Sequence, residues 1–530
     1  MKDVLLRQVK VLDPGGPLHD TVTDLQIVDG RITKAGAKLP KGQGEVVEIE
    51  GLHVSPGWVD LRAHFRDPGE EYKEGLTNGL DAAAAGGFTA VAVLPNTAPP
   101  VDQRATVEYL LRKGQDHAVR VLPLGALTKG LKGEQLAELY DMHQAGAVAF
   151  TDDVSPARNT RLMLLALQYV KNFDGRVMAF AQDAHLSAQG QMHEGVMSTR
   201  LGMRGIPAMA GSIQLARDLE LLEYTGSRLH VDVVSTAEEV ELIRRAKAKK
   251  LNVTASVAAH HLLLDDGCLR GFDTNYKVMP PLRDPAHIEA LREGVKDGTI
   301  DSIVSDHRPE DTEHKKVEFA QAAFGMIGLE TAYSVANTAL KSRMTARRIV
   351  ERFCQGPRAA LGLSVPHLVE GEMAEITLFA PEHQWMFSDK DIVSRSRNTP
   401  FIGHRFTGKA LGVVANGQVK LNTICASAER HSSAALSPAS EPMAQMPPDG
   451  SALRNSEQTL TTNFAPYVER KRAAFAASCD LVVGRLCDDR LYGGHRRCHP
   501  AHRQRVEHHG VEADHGGFAA DERYGMARGF

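Results

Sequence analysis

The first fifty residues alternate short β-like apolar runs with turns: Val4-Leu5-Leu6, Leu25-Gln26-Ile27-Val28 and Val46-Val47-Glu48-Ile49. Asp29-Gly30 follows the second run, and that dipeptide between two β-like runs predicts a tight hairpin. From residue 52 to about 340 the period changes. Apolar runs at 90–94, 119–124, 147–150, 176–180, 228–234, 252–257 and 302–304 alternate with helix-like segments at 102–113, 133–145, 158–172, 213–225, 237–250 and 285–296. With a strand entering at Pro56, these make about eight β/α units, which predicts an α/β fold of the (β/α)8 TIM-barrel type.

Residues 345–424 return to one helix (346–354) and short strands (376–379, 413–415, 419–421). β-segments on both flanks of a barrel predict a small composite β-domain. The expected division is therefore 1–51 for its N-terminal part, 52–344 for the barrel, and 345–425 for the helix and strands completing the β-domain. Residues 426–530 open with Ser, Ala and Pro and turn rich in Arg, His and Gly, as in His495-Arg496-Arg497-Cys498-His499. No element period and no repeated metal-ligand spacing is visible there. This tail is expected to be disordered, or an anomalous, frame-shifted end.

Composition narrows the function classes. At 530 residues the chain holds a barrel-sized core with additions, and a net charge of −4 gives no global pull toward nucleic acid or acidic membrane. No apolar run reaches the roughly 18–20 residues that span a bilayer, and Met1–Arg7 lacks a signal-peptide layout. A soluble cytoplasmic protein without nucleic-acid or membrane partners is expected. Six scattered cysteines with no C-x-x-C pair argue against disulfides and a Cys-type zinc site.

The stretch with most chemistry is Pro56-Gly57-Trp58-Val59-Asp60-Leu61-Arg62-Ala63-His64-Phe65-Arg66-Asp67-Pro68-Gly69. An apolar entry, alternating polar residues and a Pro-Gly break read as a buried strand that sends Arg62, His64 and Arg66 to one side. Strand ends before loops are where α/β barrels keep their reactive groups.

That stretch is followed, in order, by Leu94-Pro95-Asn96-Thr97, Phe150-Thr151-Asp152-Asp153, Leu201-Gly202-Met203-Arg204-Gly205-Ile206-Pro207, His260-His261-Leu262, Lys277-Val278-Met279-Pro280-Pro281-Leu282-Arg283, Ser305-Asp306-His307-Arg308-Pro309 and Phe324-Gly325-Met326-Ile327-Gly328-Leu329-Glu330-Thr331. This series resembles the dihydroorotases, in particular their long, type I branch of the amidohydrolase superfamily. Asn398-Thr399-Pro400-Phe401 and Gly408-Lys409 extend the resemblance, which covers about residues 1–424. It implies interconversion of carbamoyl aspartate and dihydroorotate in pyrimidine biosynthesis, by cyclic amide hydrolysis with one or two zinc ions. Metal would polarise the amide carbonyl and acidify a bound water, and a carboxylate would move the proton.

Carried over residue by residue, the implied metal positions are only half retained. His64, Asp153 and Asp306 match ligand positions, Asp306 also being the family's general base. Arg62, Phe180 and Val233 stand where the family has histidines. A guanidinium stays protonated, so Arg62 puts positive charge where a cation should sit, and it could instead pair with Asp153 or Asp306. His64 is then either a ligand or a hydrogen-bonded barrel histidine. Arg66 and Asn96 match the pair that holds the substrate carboxylate, although Arg66 could be only a salt-bridge partner at the barrel mouth. Met279 and Glu310 replace a family asparagine and histidine. His230, His260, His261 and His307 read as structural.

The expectation is a dihydroorotase-like barrel with zinc weak or absent and catalysis lost, acting as a non-catalytic subunit. An aspartate transcarbamoylase partner and a homo-oligomeric state are expected on the resemblance. The alternatives are an active dihydroorotase with a mononuclear or altered site, a hydantoinase or allantoinase, and a sensor of an anionic pyrimidine precursor.

Overall fold

The computed structural model describes residues 3–42, 44–155 and 157–422; the expectation for the tail after 425 lies outside them. Five strands precede the barrel: β1 (Val4–Val11), β2 (Val22–Val28), β3 (Arg31–Gly36), β4 (Glu45–Val47) and β5 (His53–Pro56). Asp29 and Gly30 form the two-residue turn between β2 and β3, with φ of 49° and 76°. Those angles suit the twist of the flanking strands.

The barrel runs through β6 (Trp58–Ala63), β7 (Phe88–Val93), β8 (Arg120–Ala126), β9 (Ala149–Thr151) and β10 (Val177–Phe180). A two-strand ladder, β11 (Met192–His193) with β12 (Gly205–Ile206), precedes its last members, β13 (Leu229–Asp232), β14 (Val253–Ala258) and β15 (Ser302–Val304). The eight barrel strands pair in chain order and in parallel. A bridge between Ala63 and His307, with His64 N–H donating to the His307 carbonyl at 2.9 Å, joins first strand to last. Val59, Leu61, Ala92, Leu122, Met178 and Val304 belong to one buried apolar cluster, the packed interior expected of such a barrel.

Three more strands follow: β16 (Ile376–Met386), β17 (Arg405–Ala415) and β18 (Gln418–Leu421). They share one sheet with the N-terminal strands, in the order β18-β17-β16-β5-β1-β2-β3, with β4 against β1. Trp58 fixes this sheet to the barrel. Its ring lies 5.3 Å from Phe379 on β16 and 4.7 Å from Tyr333, and its indole N–H donates to Ser55 Oγ at 2.9 Å.

Two local expectations need correction. The polar alternation after Pro56 is not one continuous strand, since β6 ends at Ala63 and His64 and Arg66 stand on the following loop. The loop beyond it turns at Arg66, whose φ of 59° lies outside the β region. The helix expected over 133–145 shrinks to Leu139–Ala145. Gly130 and Gly133, at φ of 62° and 70°, turn the chain away from a helical path.

Candidate active site

The side chains gathered at the C-terminal end of the barrel centre on Arg62. It is fully buried. Its Nε donates to Asp306 Oδ1 at 2.7 Å, Nη1 to Asp232 Oδ2, and Nη2 to Asp153 Oδ1. One guanidinium thus spans carboxylates from three further strand ends, which its planar fork of donors permits and a lysine's single ammonium would not. The Phe180 ring lies 5.5 Å from the guanidinium carbon and offers the cation its π-face. Asn96 Nδ2 donates to Asp153 Oδ2 at 3.0 Å, and Ser256 Oγ to Asp232 Oδ1 at 3.0 Å.

Asp232 is the member that sequence reasoning missed. The signal was present: Arg228, His230 and Asp232 alternate with Leu229, Val231 and Val233. On β13, alternate residues face the same way, so the polar set shares one face. Val233 follows at φ 52°, a left-handed conformation unfavourable for a β-branched side chain and consistent with an abrupt strand exit at the site. Asp153 and Asp306 also have positive φ, at 52° and 46°.

His64 is buried, and neither ring nitrogen has a hydrogen-bond partner; Nε2 stands 3.7 Å from Asp153 Oδ2. Burial, followed by the charges of Arg308 and Arg66, pushes its pKa well below the usual value, so it is neutral. His260 Nε2 is 4.0 Å from Asp306 and has no hydrogen-bond partner, whereas His261 Nε2 meets the Pro280 carbonyl at 3.1 Å. His307 Nδ1 accepts the Gly328 N–H at 3.2 Å. Asp306 is raised to about 6 by burial, with Arg62 opposing the shift.

Arg66 stands apart from this cluster. Its Nη2 binds Glu310, its Nη1 reaches Glu70 at 3.2 Å, and Lys73 bonds Glu310 at 3.0 Å and Glu70 at 2.8 Å. Two cations and two carboxylates neutralise one another at the mouth. Gln182 Nε2 lies 3.3 Å from the Met279 sulfur. The cavity bordered by Asp153 and Phe180 measures about 20 Å³, room for roughly one water molecule.

These residues do not fit a catalytic zinc. Three good protein ligands are the usual minimum. Here Phe180 and Val233 offer no donor, and Arg62 engages one oxygen of each of the three carboxylates. A second group of metal-ligand type, His193, Asp284 and His287, lies outside the barrel centre. Arg283 Nη1 sits 3.1 Å from His193 Nδ1, and the Ala237 N–H donates to His287 Nδ1 at 3.0 Å. Both Nδ1 atoms therefore accept, each Nε2 carries the ring proton, and the trio reads as a hydrogen-bonded cluster instead of a ligand set.

Asp60 supplies a test of the site's foundation. It is buried and accepts both the Ser305 N–H at 2.8 Å and the Ser305 hydroxyl at 2.6 Å, tying the first strand to the last. Burial raises its pKa from 3.8 to about 7, with those two bonds opposing. Across that window the folded chain binds more protons than the unfolded one, so stability falls as pH rises. Asp60→Asn should flatten the loss of stability between pH 5 and pH 8, read from urea unfolding midpoints. An unchanged slope would show that Asp60 ionises as it does in the unfolded chain.

The barrel and its mouth define an amidohydrolase-type α/β protein. A family model described as dihydro-orotase-like matches residues 51–239. The dihydroorotase of Pelotomaculum thermopropionicum is 44% identical over 419 residues, covering 78% of this chain and 98% of that protein. That of Syntrophotalea carbinolica is 43% identical over 418 residues, with the same two coverages. Among solved structures, the L-hydantoinase (dihydropyrimidinase) of Arthrobacter aurescens superposes with a TM-score of 0.68 at 23% identity, over 79% of this chain and 96% of its own. That likeness concerns the fold alone. The chain belongs to the dihydroorotase family of the amidohydrolase superfamily.

Proposed function

We propose that this chain is a non-catalytic member of its family, serving pyrimidine biosynthesis without interconverting carbamoyl aspartate and dihydroorotate. The observation that carries this reading is Arg62, a permanent cation bonded to Asp153, Asp232 and Asp306 at the place where a metal would be held. His64 then remains as a ligand-type histidine with no hydrogen-bond partner. Arg66 and Asn96, the groups implied for the substrate carboxylate, are engaged by Glu310 and Asp153. Asp306 has its Oδ1 committed to Arg62, whose charge opposes the uptake of a proton there.

A protein with this site would act through its surface, as a cytoplasmic scaffolding subunit for aspartate transcarbamoylase. Metal analysis of the purified chain should find zinc far below one ion per chain, and carbamoyl aspartate should not be converted to dihydroorotate. Near-stoichiometric zinc with turnover would establish an active enzyme with an altered site instead. Co-purification with the transcarbamoylase supports the scaffold role, and a homo-oligomer without that partner removes it.

A further inference from the structure

At the opposite, N-terminal end of the barrel, β10, β13 and β14 and the helix Gln355–Leu361 enclose a pocket of about 430 Å³. Its polar lining is Arg176, Arg228, His230, Asn252 and Thr254, with Ala360 on the helix side. We propose that this pocket binds a small, multiply charged oxyanion, a phosphate or a dicarboxylate, independently of the site around Arg62.

Three observations carry the assignment. First, Arg176 and Arg228 precede paired strands whose register sets Val177 opposite Leu229, so the guanidiniums share one edge of the pocket. A single carboxylate, Asp174, serves both, at 2.6 Å from Arg228 Nη1 and 3.9 Å from Arg176 Nη2, and it is 70% exposed. Two cations against one solvent-facing carboxylate leave an excess positive charge. Burial and then the charge of Arg228 lower the pKa of Arg176, as expected of like charges held together.

Second, His230 is buried, and its Nδ1 lies 2.9 Å from Thr254 Oγ1 while its Nε2 has no hydrogen-bond partner. Its Nε2 is closed off from solvent, so His230 serves the pocket by fixing Thr254, and the arginines are the groups that meet an anion.

Third, the pocket lies directly below the Arg62 cluster. His230 and Asp232 are alternate residues of β13, and Thr254 and Ser256 are alternate residues of β14. Each pair is joined across the strands, His230 to Thr254 and Asp232 to Ser256. Stability at a barrel's lower mouth is served by apolar packing and paired charges; two arginines that share one exposed carboxylate keep a net positive charge for a ligand.

The test is calorimetric titration of the full chain with inorganic phosphate and, separately, with succinate. Saturable 1:1 binding of either supports the proposal and identifies which oxyanion the pocket prefers. Arg228→Gln, at a side chain 44% exposed and so compatible with folding, should weaken that binding by about tenfold or more, equivalent to one charge-assisted bond. Arg66→Ala, at the other mouth, should leave it unchanged. No binding of either anion to the unaltered chain, or binding that survives both Arg228→Gln and Arg176→Gln, would overturn the assignment.

Discussion

Replacing Arg62 by methionine should lower the unfolding free energy by about 3–5 kcal/mol, the usual cost of stranding buried charges by removing their partner. Arg62 has no exposed surface, and Asp153, Asp232 and Asp306 would keep their burial without their common donor. Asn96 and Ser256 would still serve two of them, but a neutral amide and a hydroxyl do not balance carboxylate charge. The loss should depend on pH in a fixed direction. Burial already raises Asp306 to about 6 against the opposing charge of Arg62, so without Arg62 the folded chain holds that proton to higher pH and stability rises as pH falls toward 5. Adding Asp153→Asn, Asp232→Asn and Asp306→Asn to Arg62→Met should recover a large part of the loss, since a neutral polar site carries no charge to strand. Urea unfolding of the single and quadruple variants at pH 5.5 and 8 measures both effects. An unchanged midpoint for Arg62→Met would show that the guanidinium is not what holds the strand ends together.

The replacements around Arg62 are physically coherent. A histidine at 180 would place a polar donor or acceptor against the guanidinium, whereas Phe180 gives it an apolar, electron-rich face. Asp232 supplies a third acceptor on the strand just before Val233, so the position that lacks a ligand imidazole is bordered by a partner for the arginine. At the mouth, Glu310 gives Arg66 an internal carboxylate partner. The same charge logic appears twice: Arg62 among three carboxylates and Glu310 against Arg66 and Lys73 are each satisfied from within the chain.

The fold was largely legible because strand and helix periods differ and because Asp29-Gly30 has one favoured geometry. The pairing of Arg62 with Asp153 and Asp306 was legible too, since a fixed cation beside two carboxylates has few alternatives. Asp232 was not, because 228–234 reads as one apolar run and that reading hides its alternation. Glu310 stands out in the sequence as an obstacle to an anion, but its bonds to Arg66 and Lys73 join residues 66, 73 and 310 by a loop that no local pattern announces. The end of β6 at Ala63 depends on closure against His307, at the far end of the barrel sequence, and long-range pairing of that kind leaves no local period to read.

Zinc should return only when the ligand set is rebuilt together. Arg62→His alone removes the cation but leaves Phe180 and Val233, so the centre would hold an imidazole in place of the guanidinium, beside His64 and carboxylates that are newly unpaired. Zinc should remain well below one ion per chain, and stability should fall. The triple variant Arg62→His, Phe180→His, Val233→His adds donors at each non-ligand position beside His64, Asp153 and Asp306, enough for the three or four ligands zinc requires. Its zinc content should approach at least one ion per chain, and chelation should then lower its melting temperature, because a metal bound only to the folded state stabilises by mass action. The left-handed backbone at Val233 tolerates histidine better than a β-branched residue, which favours the change on local grounds. Turnover should stay absent even so, because Glu310 still occupies Arg66 and Met279 still lacks a polar group for the substrate. Metal analysis of the single and triple variants, with unfolding followed before and after chelation, separates the outcomes. Full zinc occupancy in the unaltered chain, or none in a folded triple variant, would show that Arg62 is not the group that keeps metal out.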